Sequence, residues 1–189
     1  MRDVRPMRDR DQTRTRIMEA AKVAFSQRGY AAANVRDIAT HAGINAALVI
    51  RYFGSKEKLF EEAVFEAFDL EQALAGISLD DLGQAMADLL FSDQRDVDLT
   101  AMMVRAALDP TVSPLVRDLA QARMLEPLAK LLGGSKSVLR ATTLLSAVTG
   151  VWFYRFAMPL MPLANKPKQA VIKHIADLFQ RIIDEDSLP

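Results

Sequence analysis

Cysteine is absent from this 189-residue chain. Its absence excludes disulfides, thiolate metal sites and cysteine nucleophiles, and it fits a reducing cytoplasm. Histidine is scarce: His41 and His174 stand alone and 133 positions apart. No G-x-S-x-G elbow and no glycine-rich phosphate loop occurs. Acid pairs such as Asp80-Asp81 read as helix starts. We therefore expect no catalytic residue, no metal site and no cofactor. Long apolar runs are missing too. The most apolar stretch, Ala141 to Tyr154, has 14 uncharged residues between Arg140 and Arg155, whereas a bilayer needs about 20. The opening Met-Arg-Asp-Val-Arg-Pro carries no signal-peptide core. The expectation is a cytoplasmic protein with no membrane partner.

What is present is an ordinary globular composition, 50% hydrophobic and 25% charged. The net charge is zero but unevenly spread. Residues 1–60 hold twelve Lys/Arg against six acids, net +6, which leaves −6 for the other 129 residues. A basic N-terminal part points to a polyanion partner.

The periodicity is helical almost throughout. Ile17, Ala20, Ala21, Ala24 and Phe25 share one helix face between Thr13 and Arg28, and Gly29 stops that helix. Asn34 caps a second helix, Val35 to about His41, and Asn45 a third, reaching about Phe53. Ser55 caps a fourth from Lys56 to about Ala75. Asp80 to Phe91, Val97 to Leu108, Ser113 to Leu132, Ser137 to Met158 and Lys168 to about Asp184 complete the pattern. Pro127 should kink or divide the seventh. No stretch alternates at period two long enough for a strand, and no repeat is visible. The expected fold is all-α, about nine helices. A flexible basic arm (1–12) precedes a three-helix domain (13–58) and a larger helical domain (59–189).

Helices two and three, joined by the small turn Ala42-Gly43, form a helix-turn-helix. Ile38, Ala39, Ile44, Val49 and Phe53 are its expected core. The residues Ile17…Ala20-Ala21…Phe25…Gly29-Tyr30, Val35-Arg36-Asp37-Ile38-Ala39, Ala42-Gly43-Ile44 and Tyr52-Phe53-Gly54-Ser55-Lys56-Glu57-Lys58-Leu59 resemble the tetracycline-repressor (TetR) family of regulators. The resemblance covers about residues 13–60. It implies a DNA-binding transcriptional regulator, commonly a repressor, that acts on a double-stranded operator. By position, Arg36 would grip a phosphate or a guanine edge. Asn45, Ala46, Ala47 and Leu48 would lie on the base-reading turn. Tyr52 would touch the backbone, and Lys56 with the start of the fourth helix would hold a phosphate.

The chain departs from the family pattern at Asn45 (usually Ser), Ala47 (usually Gly) and Ile50 (usually Tyr). Ile50 cannot donate to a phosphate, so Arg51 or the N-terminal arginines would have to replace that anchor. Asn45 reads equally as a plain helix cap, and capping does not exclude base contact.

The resemblance also implies a homodimer, since two half-sites about 34–36 Å apart need two reading heads. Leu144, Val148, Ile172, Ile175 and Phe179, on the last two helices, are the interface candidates; one protomer could instead bury those stripes in its own core. Met86, Met102, Met103 and Trp152 could line an adaptable apolar effector pocket, with Arg105 or Arg155 meeting a carboxylate. The competing reading makes the apolar residues core and lets the arginines reach water or an acid. Release from DNA would follow from ligand moving the fourth helix and changing the spacing of the heads. A helical protein-interaction module without specific DNA binding is the alternative.

Overall fold

The computed structural model describes residues 5–67, 73–92 and 97–185, with side chains from Arg10 onward. Among the described residues every regular element is helical. The elements are α1 (Arg5–Ala32), α2 (Val35–His41), α3 (Ala46–Phe53), α4 (Lys56–Ala67), α5 (Leu82–Phe91), α6 (Leu99–Ala107), α7 (Ser113–Ala120), α8 (Glu126–Leu132), α9 (Ser137–Trp152) and α10 (Gln169–Asp184). A 3₁₀ turn (Leu79–Asp81) precedes α5, and π-helical turns (Gln121–Leu125 and Phe153–Ala157) follow α7 and α9.

Two boundaries differ from those the sequence suggests. Residues 5–12 are not an arm: they form the first turns of α1. Pro6 is no obstacle there, because the first turn of a helix has no acceptor for its N–H anyway. Residues 1–4 lie outside the described residues, as do residues 68–72 of the predicted fourth helix. Pro127 does divide its helix. The ladder widens to π geometry over Gln121–Leu125 and resumes as α8 with Pro127 in its first turn.

The chain forms two compact units. The first contains α1 to α4, α6 and α7. Its core joins Ile17, Ala21 and Phe25 of α1 to Phe60 and Ala63 of α4 and to Met102 and Ala106 of α6, all buried. Phe25, Tyr30 and Phe60 form an aromatic cluster, with Phe60 edge-on to both partners at 5.1 and 5.3 Å; such pairs add about 1 kcal/mol each beyond burial. Gly29 breaks α1 at φ 75°, ψ 171°. Just before it, Arg105 donates to the carbonyls of Ser26 (2.8 Å) and Gln27, and the Asp98 N–H donates to Ser26 Oγ at 2.9 Å. Helix α6 thus satisfies the last carbonyls of α1.

The second unit contains α5, α8, α9 and α10. Helices α5 and α10 pack at Gly83, where a Cβ would stand 2.7 Å from both Ala176 O and Gln180 N. The Gly83 N–H donates to Gln180 Oε1 at 2.9 Å, and Gln180 Nε2 donates to Leu79 O at 2.9 Å. Only glycine lets the two backbones come so close. Buried Arg140 donates to the terminal carbonyls Leu132 (3.2 Å) and Gly133 of α8 and to Ile183 of α10. Leu144, Ile175 and Phe179 are buried inside this unit. Helix α10 packs mainly on α5 and also on α9, so these three side chains fill the protomer's own core, the alternative that the sequence left open beside a dimer interface. Val148 and Ile172 are half-buried.

Candidate nucleic-acid interface

The geometry of the α2–α3 pair follows from its caps. Asn34 Oδ1 accepts the Arg36 N–H at 2.9 Å, and Asn45 Oδ1 accepts the Ala47 N–H at 2.9 Å. Each satisfies one of the orphan donors of a helix start. Between them the chain turns at Gly43, φ 67°, with Ile44 N–H returning to Ala39 O at 2.9 Å. A left-handed backbone angle at that point favours glycine. Ile38, Ala39, Val49 and Phe53 are buried and Ile44 is half-buried. This anchors both helices and leaves a solvent face of Arg36 and Thr40 on α2 and Asn45, Ala47, Ile50 and Arg51 on α3. Ala46, Leu48 and Tyr52 are half-buried at its margin. Ile50, 43% exposed, adds an apolar side chain to that face.

Lys56 has its own environment. Its Nζ lies 4.3 Å from the Tyr30 ring centroid and 3.4 Å from Ala31 O. Burial lowers the pKa of its ammonium, against the opposing pull of Asp109 and Glu57. The Tyr30 hydroxyl donates to Glu57 Oε1 at 2.8 Å. Burial first, and then the bonded carboxylate, push that phenol well above its ordinary range. Glu57 is held below the ordinary carboxylate range by its own backbone N–H, by Tyr30 and by Ser55. Sequence reading missed this cluster, although Tyr30 directly after Gly29 and an acid in the first turn of α4 were its signals.

The proposed effector residues fall into both units. Met102 and Met103 are buried in the first unit and Met86 and Trp152 in the second. Both arginines are engaged by backbone carbonyls. Arg105 serves the end of α1. Buried Arg155 lies 5.0 Å from the Phe91 centroid and 4.8 Å from that of Phe156, and donates to Asn165 O at 3.0 Å. Both guanidiniums answer helix or loop carbonyls, a demand no sequence pattern displays. The second unit has an open cavity of about 480 Å³ along Leu74, Ala75, Gly76, Ile77, Pro127, Lys130 and Leu131. None of the six proposed residues lines it.

Comparison with known families places these features. Residues 17–63 match the model for bacterial regulatory proteins of the tetR family. Residues 80–183 match a tetracyclin repressor-like C-terminal domain. The chain belongs to the tetracycline-repressor family. Among curated relatives, the HTH-type transcriptional repressor NicS of Pseudomonas putida is 36% identical over 83 residues, which is 42% of this chain and 39% of NicS. The chain thus spans about two fifths of the curated relatives it matches. Among solved structures, a TetR-family regulator from Streptomyces coelicolor is 27% identical, with a TM-score of 0.57 over 96% of this chain and 99% of the other. A transcriptional regulator from Saccharomonospora viridis in complex with choline superposes with a TM-score of 0.68 at 20% identity, covering 93% of this chain and 97% of that one. In this TetR-family chain the capped α2–α3 pair lies inside the part that the regulatory-protein model matches.

Proposed function

We propose that this TetR-family protein is a DNA-binding transcriptional repressor that acts as a homodimer and leaves its operator when a small, largely apolar effector binds. The observation that carries the proposal is the solvent face of α2 and α3. Arg36 and Arg51 flank a strip of Asn45, Ala47 and Ile50 held rigidly by two asparagine caps. Ala47 and Ile50 offer methyl groups, and Asn45, whose Oδ1 accepts the Ala47 N–H, keeps its Nδ2 group as the donor of the strip. Its readout would be contact with thymine methyls, with Arg36 on a guanine edge or a phosphate. Lys56 at the start of α4 is the remaining phosphate candidate, once it leaves the Tyr30 ring.

The dimer face we assign is the outer side of α9 and the turn after it, where Leu139, Phe153 and Tyr154 are exposed beside Thr142, Thr143 and Ser146. Its area is free because Leu144 and Phe179 are already buried within the protomer. The effector site we favour is the 480 Å³ cavity, within the usual range for small-ligand pockets. Its walls are largely apolar, and Lys130 could meet an anionic group. Effector binding there would shift the population toward a dimer whose reading heads no longer match the half-sites.

The test is a salt-titrated binding assay on DNA flanking the protein's own gene, using wild type and Arg36→Ala/Lys56→Ala. Saturable wild-type binding that needs both side chains supports the proposal. Equal weak binding to every fragment, unchanged by the substitutions, would move the protein-interaction reading to the front.

A further inference from the structure

From Arg10 onward, the arginines of the first unit fall into two groups. Arg14 pairs with Glu62 and Glu66, Arg28 with Asp37 at 2.9 Å, and Arg117 with Asp118 at 3.4 Å; Arg105 is taken up by backbone carbonyls. Among the described residues, Arg10, Arg16, Arg36 and Arg51 have no carboxylate within ion-pair distance. All four are exposed. Two of them, Arg36 and Arg51, are on the reading face. The other two belong to α1, yet they reach the same motif. The Arg10 guanidinium lies 6.0 Å from the ring centroid of Tyr52, near the end of α3. Arg16 Nη1 lies 4.0 Å from where a Cβ on Gly43 would sit, at the turn before α3.

From this sorting we propose that Arg10 and Arg16 bind backbone phosphates of the DNA duplex on either side of the recognition helix, replacing the anchor that Ile50 cannot provide. Arg14, between them in sequence, does not take part because two glutamates hold it. The inference rests on the DNA-binding reading above. The physical case is electrostatic. An exposed guanidinium with no internal acid keeps its full charge, and a fork of five donors suits a phosphate. A cation left unpaired beside a reading helix raises affinity for any duplex and carries no base information. Tyr52 steadies Arg10 through its ring, and the small Gly43 turn leaves room for Arg16.

The experiment measures binding of full-length protein to two fluorescent duplexes from 50 to 200 mM KCl. One duplex is taken from the flank of the protein's own gene; the other is a scrambled sequence of equal length and composition. Variants are Arg10→Gln, Arg16→Gln, the double variant, and Arg14→Gln as the control, each checked for helicity by circular dichroism. Arg10→Gln and Arg16→Gln should each lower the slope of log K against log salt by about 0.9, and the double variant by roughly twice that. Both duplexes should weaken by the same factor. Arg14→Gln should lose thermal stability and keep its slope. A folded double variant with the wild-type slope would overturn this inference and leave the DNA reading standing. An equal fall in slope for Arg14→Gln would also overturn it, since the effect would then be general charge. Wild type that binds neither duplex at 50 mM KCl would overturn both.

Discussion

Arginine does opposite work around the helix-turn-helix and in the interior of the second unit. Around α2 and α3, Arg10, Arg16, Arg36 and Arg51 stand in solvent with no acid partner among the described residues. In the second unit, Arg140 and Arg155 are 4% and 6% exposed and donate to backbone carbonyls. The difference lies in what each site lacks. Helices that end inside a small helical unit leave their last carbonyls without donors, and a buried guanidinium with five N–H groups can serve several at once. In the helix-turn-helix, backbone N–H groups turn back to the helix ends, Ala42 to Ile38 O at 2.9 Å and Gly54 to Ile50 O at 2.8 Å, so no guanidinium is drawn to them and the arginines stay available for an external anion. The same residue type is tied up where backbone acceptors are stranded and left to solvent where they are not.

The largest effect should come from removing a buried guanidinium. Arg140→Ala strands the ends of α8 and α10 together and should cost about 4 kcal/mol, read by urea denaturation of the full chain. Arg140→Lys should recover little, because one ammonium cannot span three carbonyls. A loss under about 1 kcal/mol would break the contrast between the two settings.

Gly83→Ala comes next. Its Cβ would meet backbone atoms at 2.7 Å, which cannot swing aside as a side chain could. We expect a loss of about 3 kcal/mol, with DNA affinity per folded molecule unchanged. Gly150→Ala, whose Cβ has nothing within 4 Å, should be neutral in the protomer; weakened dimerisation in sedimentation would mark α9 as the partner face.

Arg36→Gln and Arg51→Gln should each change stability by less than about 0.5 kcal/mol while lowering affinity for the flanking duplex. Thermal melts beside binding isotherms would separate the two quantities. A loss of stability equal to that of the buried arginines would erase the distinction.

The smallest effect concerns pH. Glu57 has its pKa depressed below 4.5 in the folded chain, so its stabilisation is fully present above that value. It is lost as pH falls through the lower, folded pKa. Glu57 is exposed, so screening keeps the contribution under about 1 kcal/mol. Tyr30→Phe should flatten the stability curve between neutral pH and pH 3, measured by denaturation at each pH.

Much of this protein was legible before any coordinates. The spacing of Ile17, Ala21 and Phe25, the asparagines at positions 34 and 45 and the glycines at 29 and 43 each act within one turn of helix. Local residues therefore predicted the helices, the caps and the turn between α2 and α3, and the motif pointed to the family. Tertiary packing decided the fate of individual side chains. Leu144, Ile175 and Phe179 read either as a dimer interface or as protomer core, and the packing of α10 on α5 and α9 buries them in the protomer. Arg105 and Arg155 read either as ligand contacts or as cations reaching water or an acid, and the fold adds a third partner, carbonyls of α1 and of the segment after α9. Arg10 read as part of a loose arm until α1 extended to Arg5 and brought it to Tyr52. Periodicity reports which face of a helix is apolar, a property of the helix alone. Which neighbour covers that face, and which cation remains for solvent, depends on contacts between residues far apart in sequence, and only the folded chain brings those together.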